Sequence, residues 1–525
     1  MLHPSNRAIQ RTVVGVLLSA AVTLSSGCSH LGNWRRNGFK VGPNYARPAA
    51  PVADDWIDFN DPRVISDRQG VDNATWWNTF NDPVLNRLVQ SSYEQNLPLR
   101  AAGLRVLEAQ SQRAVAAGLL FPQLQQAFGQ YQRIQLSRNG NPVGVGALPA
   151  RAFDFWSTGF NVGWEIDLWG KIRRSIESAD AELDATVESY DDVLVCLIAE
   201  TAAAYTEMRA FDQRLKYAHM NVETQKGSLR IAESRFNNGD VSELDVTQAK
   251  SNLGQTEALI PTLEIGQRKA NNRLCVLLGT PQHDLLPELG PGPIPSSRPE
   301  VVVGIPAELI RRRPDIREAE RRVAAQSALV GVATADLFPT FSISGSLNYQ
   351  ATKFSRLFSS GSNAGFVAPG FNWNILNYGR IVNGIRAQDA RFQTAAVEYQ
   401  QTVLNASAEA ENAIIGFLKA QEQVAALEYG VAATERSVEL SLAQYREGLI
   451  DFNRVFNLQS ALVQQQDDLA SARASVALSL IRIYKTLGGG WQIRLGASNL
   501  NQMVVEPAVE NLKVPQPPVD ASSES

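Results

Sequence analysis

Trp164-Glu165-Ile166-Asp167-Leu168-Trp169-Gly170-Lys171-Ile172 and Trp373-Asn374-Ile375-Leu376-Asn377-Tyr378-Gly379-Arg380-Ile381 are one sentence written twice, 209 positions apart. The register then holds without a gap through Ala181/Ala390, Tyr190/Tyr399, Glu200/Glu409, Gly239/Gly448, Val246/Val455, Leu253/Leu462 and Gly279/Gly488. Upstream the offset becomes 217, pairing Ala102 with Ala319, Arg105 with Arg322, Val106 with Val323, Phe121 with Phe338 and Pro122 with Pro339. A single insertion of about eight residues in the first copy accounts for the change. An ungapped offset means that neither helix nor turn length could vary, so the chain is a tandem duplication of one rigid unit. The unit is too long for a solenoid repeat, and two copies must form one pseudo-symmetric body.

Inside each copy the pattern changes period. Thr340 to Tyr349 puts Phe341, Ile343, Leu347 and Tyr349 on one face and Thr340, Ser342, Ser344, Ser346 and Asn348 on the other. Phe160, Val162, Trp164, Ile166 and Leu168 alternate with Asn161, Gly163, Glu165 and Asp167, and Phe371, Trp373 and Ile375 alternate with Asn372 and Asn374. Period two with one polar face is the pattern of a strand between lipid and water. Gln123–Gln132 is the least regular of the four strands expected. Aromatics at both ends suit membrane interfaces: Phe153, Phe155, Trp156, Phe354 and Phe358 by the loops, Trp164, Trp169, Trp373 and Tyr378 by the helices. A half-buried sheet in a soluble domain is the plainer alternative. Strands about ten residues long, the span of a bilayer, weigh against it.

Next comes helix. From Lys171 to Phe236 there is no proline and one glycine, Gly227; Arg380 to Glu447 again lacks proline. Either stretch would extend roughly 100 Å as a helix. Ile172, Ile176, Ala179, Leu183, Val187, Tyr190, Leu194 and Leu197 recur in steps of three and four, close to a coiled-coil seam. Gly239 and Gly448 mark chain reversals, where a left-handed backbone would explain glycine in both copies. Pro261 is expected to kink the first return helix. Arg311, Arg312, Arg313, Arg317, Arg321 and Arg322 read as a solvated helix face.

The first 27 residues have the layout of a secretory signal: Arg7 and Arg11, then an apolar run from Val13 to Leu24. Ser25-Ser26-Gly27-Cys28 makes Cys28 the expected lipid attachment site, with leucine four residues before it. After Cys28 no apolar run reaches eighteen residues, which excludes a conventional membrane-spanning helix and an inner-membrane permease. Cys196 and Cys275 are expected as free buried thiols. A net charge of −4 with both signs interspersed argues against nucleic acid as a partner. His30, His219 and His283 lack the spaced partners of a metal site, and no nucleophile motif is evident, so neither enzyme activity nor a cofactor is expected.

Four strands cannot close a membrane barrel, because an open sheet would leave backbone groups unpaired in hydrocarbon and the smallest such barrels have about eight strands. Strands from other copies must complete it; the residues alone permit two chains or more.

Val41-Gly42-Pro43-Asn44-Tyr45, Trp76-Trp77-Asn78-Thr79-Phe80-Asn81-Asp82-Pro83, Arg312-Arg313-Pro314-Asp315-Ile316 and Tyr445-Arg446-Glu447-Gly448, with the lipobox-like start, resemble the outer-membrane factors of multidrug efflux systems. These are the TolC-like channel-tunnels, and the lipoprotein branch is the nearest. The resemblance implies an α+β membrane protein: a homotrimer whose twelve-stranded β-barrel in the outer membrane, four strands per chain, continues into an α-helical coiled-coil tunnel in the periplasm. It implies a periplasmic adaptor and an inner-membrane pump, of the resistance-nodulation-division type, as partners, beside outer-membrane lipid. The expected layout is a signal peptide at 1–27 and a lipid-anchored segment at 28–75. Repeat 1 covers 76–290, with a β-hairpin about 123–168 and a helical hairpin about 170–279. Repeat 2 covers 300–490, with a β-hairpin about 340–376 and a helical hairpin about 380–488. A disordered tail at 491–525 ends the chain. Charged residues near the two reversals are the expected periplasmic gate: Arg235, Asp240 and Asp245 at one, Arg446, Asp451 and Arg454 at the other. Ile450 stands where relatives of this branch carry aspartate. Gly239 and Gly448 serve the tip turns and adaptor docking. Passive conduction of toxic small molecules is the function implied; a duct for type I secretion of polypeptides and a non-channel surface lipoprotein are the alternatives.

Overall fold

The computed structural model describes residues 34–65, 73–137, 152–296, 298, 300–303, 306 and 312–496. The lipid-attachment site expected at Cys28 and the signal segment lie outside the described residues. Contact between residues divides the chain into two units: one from 1–48, 108–185 and 319–398, the other from 49–107, 186–318 and 399–525.

The first unit holds the sheet. Its strands are β2 (Leu124–Gln135), β3 (Ala152–Ile166), β5 (Thr340–Ala351) and β6 (Asn363–Asn372), antiparallel in the order β2-β3-β5-β6. Register aligns the faces: Phe160 opposes Leu347, Trp164 opposes Ile343, Ile166 opposes Phe341, and Phe341 opposes Phe371. A one-residue slip would turn each strand's apolar set to the wrong side, so the alternation itself fixes the pairing. Across β3 and β5 the second face carries Asn161, Gly163 and Glu165 against Ser346, Ser344 and Ser342. Among the described residues, the outer strands β2 and β6 each leave one edge unpaired within the chain.

The fourth strand differs from expectation. It runs Asn363–Asn372, so Trp373 and Ile375, read as strand residues, lie past its end, and the second hairpin ends at 372 instead of about 376. The alternation in Phe371-Asn372-Trp373-Asn374-Ile375 is real in sequence. What ends the strand is β5, whose first residue Thr340 already opposes Asn372, leaving no partner beyond.

The helices repeat to the residue. The helices α1 (Pro83–Gln95) and α2 (Leu97–Gly118) lead into the first hairpin; α3 (Lys171–Asn237) and α4 (Glu243–Leu277) follow it. After the single turn α5 (Leu286–Leu289), α6 (Pro314–Ala335) leads into the second hairpin, and α7 (Arg380–Arg446) and α8 (Phe452–Thr486) complete the copy. α3 and α7 both have 67 residues, α4 and α8 both 35, α2 and α6 both 22. Their ends sit at the offsets of 209 and 217 read from the sequence. α4 continues through Pro261, which lies inside the helix instead of ending it. A two-stranded parallel pair, β1 (Val64–Ile65) and β4 (Val301–Val302), had no legible signal at that length.

Glycine explains itself at the helix ends. Gly239, Gly279, Gly448 and Gly488 all have φ between +68° and +82°. Each closes its helix with the paired backbone bonds of a Schellman cap, as in Asp240 N–H to the Arg235 carbonyl at 2.9 Å and Leu449 N–H to the Gln444 carbonyl at 2.9 Å.

The second unit has the main apolar core, built from Trp56, Trp76, Trp77, Phe80, Leu85 and Val89 against Leu194, Ile198, Tyr205, Leu274, Phe417, Leu480 and Tyr484. Trp76 stacks on Tyr484 at 5.2 Å. Two arginines expected on a solvated face are instead paired inward: Arg313 bonds Asp315, Glu409 and the Thr486 carbonyl, and Arg317 meets Glu188 at 2.6 Å. The chain past Trp491 also departs from the expected tail. Trp491–Leu495 is a 3-10 helix whose Arg494 grips buried Asp191 at 2.6 and 3.0 Å, while the Arg317 guanidinium lies 4.7 Å from the Trp491 ring. Residues 497–525 lie outside the described residues. Cys196 and Cys275 are free thiols.

Candidate functional site

The two helix reversals meet. At the α3–α4 turn and the α7–α8 turn an apolar cluster of Ala232, Val246, Ala249, Tyr445, Phe452 and Val455 forms, with Leu229, Leu442 and Ile450 against it. Tyr445 is its pivot. The residue is buried, its ring lies 5.2 Å from Phe452 edge-on, and its hydroxyl donates to Asp245 at 3.0 Å. Arg235 sets its guanidinium 4.8 Å from the centre of the same ring and donates to the Tyr445 carbonyl. Burial, then the bond to Asp245, pushes the Tyr445 phenol well above its usual range, so it stays a neutral donor.

Of the charged residues expected here, the structure therefore brings Arg235 and Asp245 together, through Tyr445. In the sequence Tyr445 stands in the Tyr445-Arg446-Glu447-Gly448 motif with no role of its own. The signal was available: an aromatic hydroxyl at a buried seam position next to a reversal needs a polar partner. Asp451 caps α8, accepting the Arg454 N–H at 3.2 Å, which is the ordinary work of an acid at a helix start. Asp240, Arg446 and Arg454 have exposed side chains and are not joined to the Arg235–Tyr445–Asp245 group in one chain. Gly448 has φ of +78°, which favours glycine, and a Cβ there would lie 3.2 Å from the tip of the Arg235 guanidinium, which would have to shift to admit it. At Gly239 a Cβ would meet nothing within 4 Å, so only the backbone angle of +82° demands glycine.

The aromatics at the strand–helix junctions act in pairs. Trp164 donates its indole N–H to the Leu120 carbonyl at 3.1 Å, and its repeat equivalent Trp373 donates to Leu337, the equivalent of Leu120, at 3.0 Å. Trp156 packs between Tyr131 and Phe354 at the loop end. Trp169 bonds the Pro339 carbonyl at 2.8 Å and stacks on Phe338 at 4.6 Å. Its equivalent Tyr378 is 98% exposed.

No helix among the described residues is long and apolar enough to cross a membrane, and no group of three or more metal-ligating side chains occurs among them. The tip group is held by hydrogen bonds and by a cation over a ring.

Comparison with known proteins gives a consistent answer. A family model described as "Outer membrane efflux protein" matches residues 88–280 and 305–489. The toluene efflux pump outer membrane protein TtgC of Pseudomonas putida is 28% identical over 504 residues, covering 94% of this chain and 99% of its own length. The pyoverdine export outer membrane protein OpmQ of Pseudomonas aeruginosa is 30% identical over 426 residues, covering 80% and 88%. Among solved structures, the outer-membrane channel OprN superposes with a TM-score of 0.80 at 35% identity, over 86% of this chain and 99% of that one. With its duplicated hairpins, four-stranded sheet and paired reversals, this chain belongs to the outer membrane efflux protein family and has the fold of the TolC-like channel-tunnels.

Proposed function

We propose that the chain is the outer-membrane exit channel of a tripartite efflux pump, assembled from three copies, lipid-anchored at Cys28 and closed at its periplasmic tip by the Arg235–Tyr445–Asp245 latch. The observation that carries this reading is the unfinished symmetry of a single chain. Trp169 on repeat 1 is covered by Phe338 on repeat 2, whereas their equivalents Tyr378 and Phe121 stand 98% and 68% exposed. A contact made once inside the chain is offered again, unmet, at its repeat position. The bare edges of β2 and β6 ask for the same completion, since unpaired backbone in hydrocarbon costs several kcal/mol per group. A second copy supplies both, and closing the ring at three gives twelve strands.

Transport is passive in this reading, with energy supplied by an inner-membrane pump acting through a periplasmic adaptor that meets the turns at Gly239 and Gly448. Repeated by symmetry around a constriction, a latch of this kind blocks the path until it is pulled apart. Small amphipathic toxic compounds are the substrate class proposed, and catalysis has no part in it. The test is ion conductance of the purified full-length protein in a planar bilayer. Low conductance that rises several-fold in Tyr445→Phe combined with Arg235→Ala is the expected result. Absence of conductance from both forms would sink the channel reading.

A further inference from the structure

The loop at 34–40 is fixed against the junction of β3 with α3. A short helical turn at 34–36 ends in a Schellman cap, in which the Phe39 N–H donates to the Trp34 carbonyl at 2.8 Å and the Gly38 N–H to the Arg35 carbonyl at 3.3 Å. The apolar contact that accompanies such caps is Phe39 against Trp34, edge-on at 4.8 Å. Trp34 lies in turn 5.4 Å from Trp169, and the Val41 N–H donates to the Trp169 carbonyl at 3.0 Å. Arg173, paired with Asp167 at 2.9 Å, donates to the Gly38 and Phe39 carbonyls at 2.7 and 3.0 Å, and Lys40 is ion-paired with Glu177. This grip belongs to one copy only. At the repeat positions of Asp167, Arg173 and Glu177 stand Leu376, Val382 and Arg386, so the duplication departs from itself where it meets the loop.

What the loop offers to its surroundings is two cations and a ring. Phe39 is 47% exposed and has φ of +61°, a left-handed backbone that a bulky residue rarely adopts. Strain of that kind persists where the surroundings impose it, and it clusters at functional sites. Arg35 and Arg36 are exposed beside it, and neither guanidinium has an acidic partner among the described residues. The nearby acids are already taken: Asp167 by Arg173, Glu177 by Lys40 and Arg174, Asp336 by Lys171. Free cations next to an exposed aromatic, at the end of the sheet where Trp164 and Trp169 stand, suit a surface that is anionic outside and apolar beneath. The planar fork of a guanidinium matches phosphate oxygens. Chain length agrees, since Trp34 is six positions after Cys28 and so within roughly 20 Å of it.

We propose that the 34–40 loop is a binding site for acidic phospholipid, in which Arg35 and Arg36 hold the headgroup phosphate and Phe39 enters the boundary of the acyl chains. The loop thereby holds the β3–α3 junction at the level of the headgroups. This inference rests on the reading of the sheet as membrane-spanning.

The experiment uses the full-length protein in a neutral detergent, with dioctanoyl phosphatidylglycerol, dioctanoyl phosphatidylcholine and inorganic phosphate as probes and native mass spectrometry as the readout. Phosphatidylglycerol should bind about tenfold or more tightly than phosphatidylcholine, and phosphate should not be retained. Arg35→Ala combined with Arg36→Ala should weaken phosphatidylglycerol about tenfold or more, the scale of two cations near an anionic surface. Its thermal unfolding should be unchanged, because neither side chain has a partner to lose. Phe39→Ala should weaken both phospholipids. Equal affinity of the double variant and the unaltered protein for phosphatidylglycerol overturns the proposal. So does phosphate retained as tightly as the lipid, which would mean a small-anion site, or a double variant that loses its partner copies while keeping its lipid, which would mean a contact between chains. The same spectra give the acyl mass at Cys28 and the number of chains, so failure of the anchor or of the ring would show separately.

Discussion

Gly279 and Gly488 carry the same burden at equivalent positions. Each has φ of +68°, and a Cβ at Gly279 would sit 2.4 Å from the Gln95 carbonyl oxygen, while one at Gly488 would sit 3.0 Å from that of Arg312, the repeat equivalent of Gln95. Neighbouring side chains complete the match: Asn96 donates to the Leu277 carbonyl at 2.9 Å, and its equivalent Arg313 donates to the Thr486 carbonyl at 3.3 Å. Gly279→Ala should therefore cost about 2 kcal/mol or more from backbone angle and clash together, read as a lower denaturant midpoint, with Gly488→Ala somewhat milder. A different residue-scale effect follows from Glu188. Burial, the leading cause, pushes its carboxyl up to about 7 despite Arg317, and burial likewise pushes Asp192 up to about 6. The folded chain thus holds protons that the unfolded chain would release, so these groups add stability as pH falls from 8 towards 6 and withdraw it as pH rises through 7. A melting temperature that climbs on that descent, with a slope reduced in Glu188→Gln, is expected; each group contributes at most about 1.4 kcal/mol per pH unit.

At the scale of elements, what needs explaining is that α3 and α7 agree in length at 67 residues and α4 and α8 at 35, although their sequences differ at most positions. The two reversals share one apolar cluster, so a helix lengthened in one copy alone would carry its turn away from the other. Deleting seven residues from α3 with seven from α4 should abolish the Tyr445–Asp245 contact and lower the melting temperature. The same deletion made in all four helices should restore much of it, because a heptad keeps the seam facing its partner. Thermal unfolding followed by circular dichroism distinguishes the two variants. The elements also show where pattern misleads. Alternation extended the fourth strand to Ile375, but a strand needs a neighbour as well as a pattern, and β5 has none to give past Thr340. In the same way the arginines from Arg311 to Arg322 looked like a solvated face, because sequence spacing cannot show that Glu188 and Glu409 arrive from other helices to meet Arg317 and Arg313.

For the whole molecule, the test of assembly is a cysteine pair at positions that are far from saturated within one chain. Phe121→Cys and Tyr378→Cys should form a disulfide between copies, giving a ladder that ends at three chains on a non-reducing gel. A cross-link confined to one chain would count against the proposed ring. The sequence by itself determined the duplication, the alternating faces of the strands and the glycines at which the long helices turn back. Those properties are periodic and local: an ungapped offset, a period of two or of seven, and a glycine where the backbone must turn left. Tertiary structure alone decided which charges meet. Arg235 and Asp245 stand ten residues apart in the first copy, yet they meet through Tyr445, some 200 positions away. Contacts of that kind depend on which faces two packed hairpins turn towards each other, and no spacing along one strand of text records it.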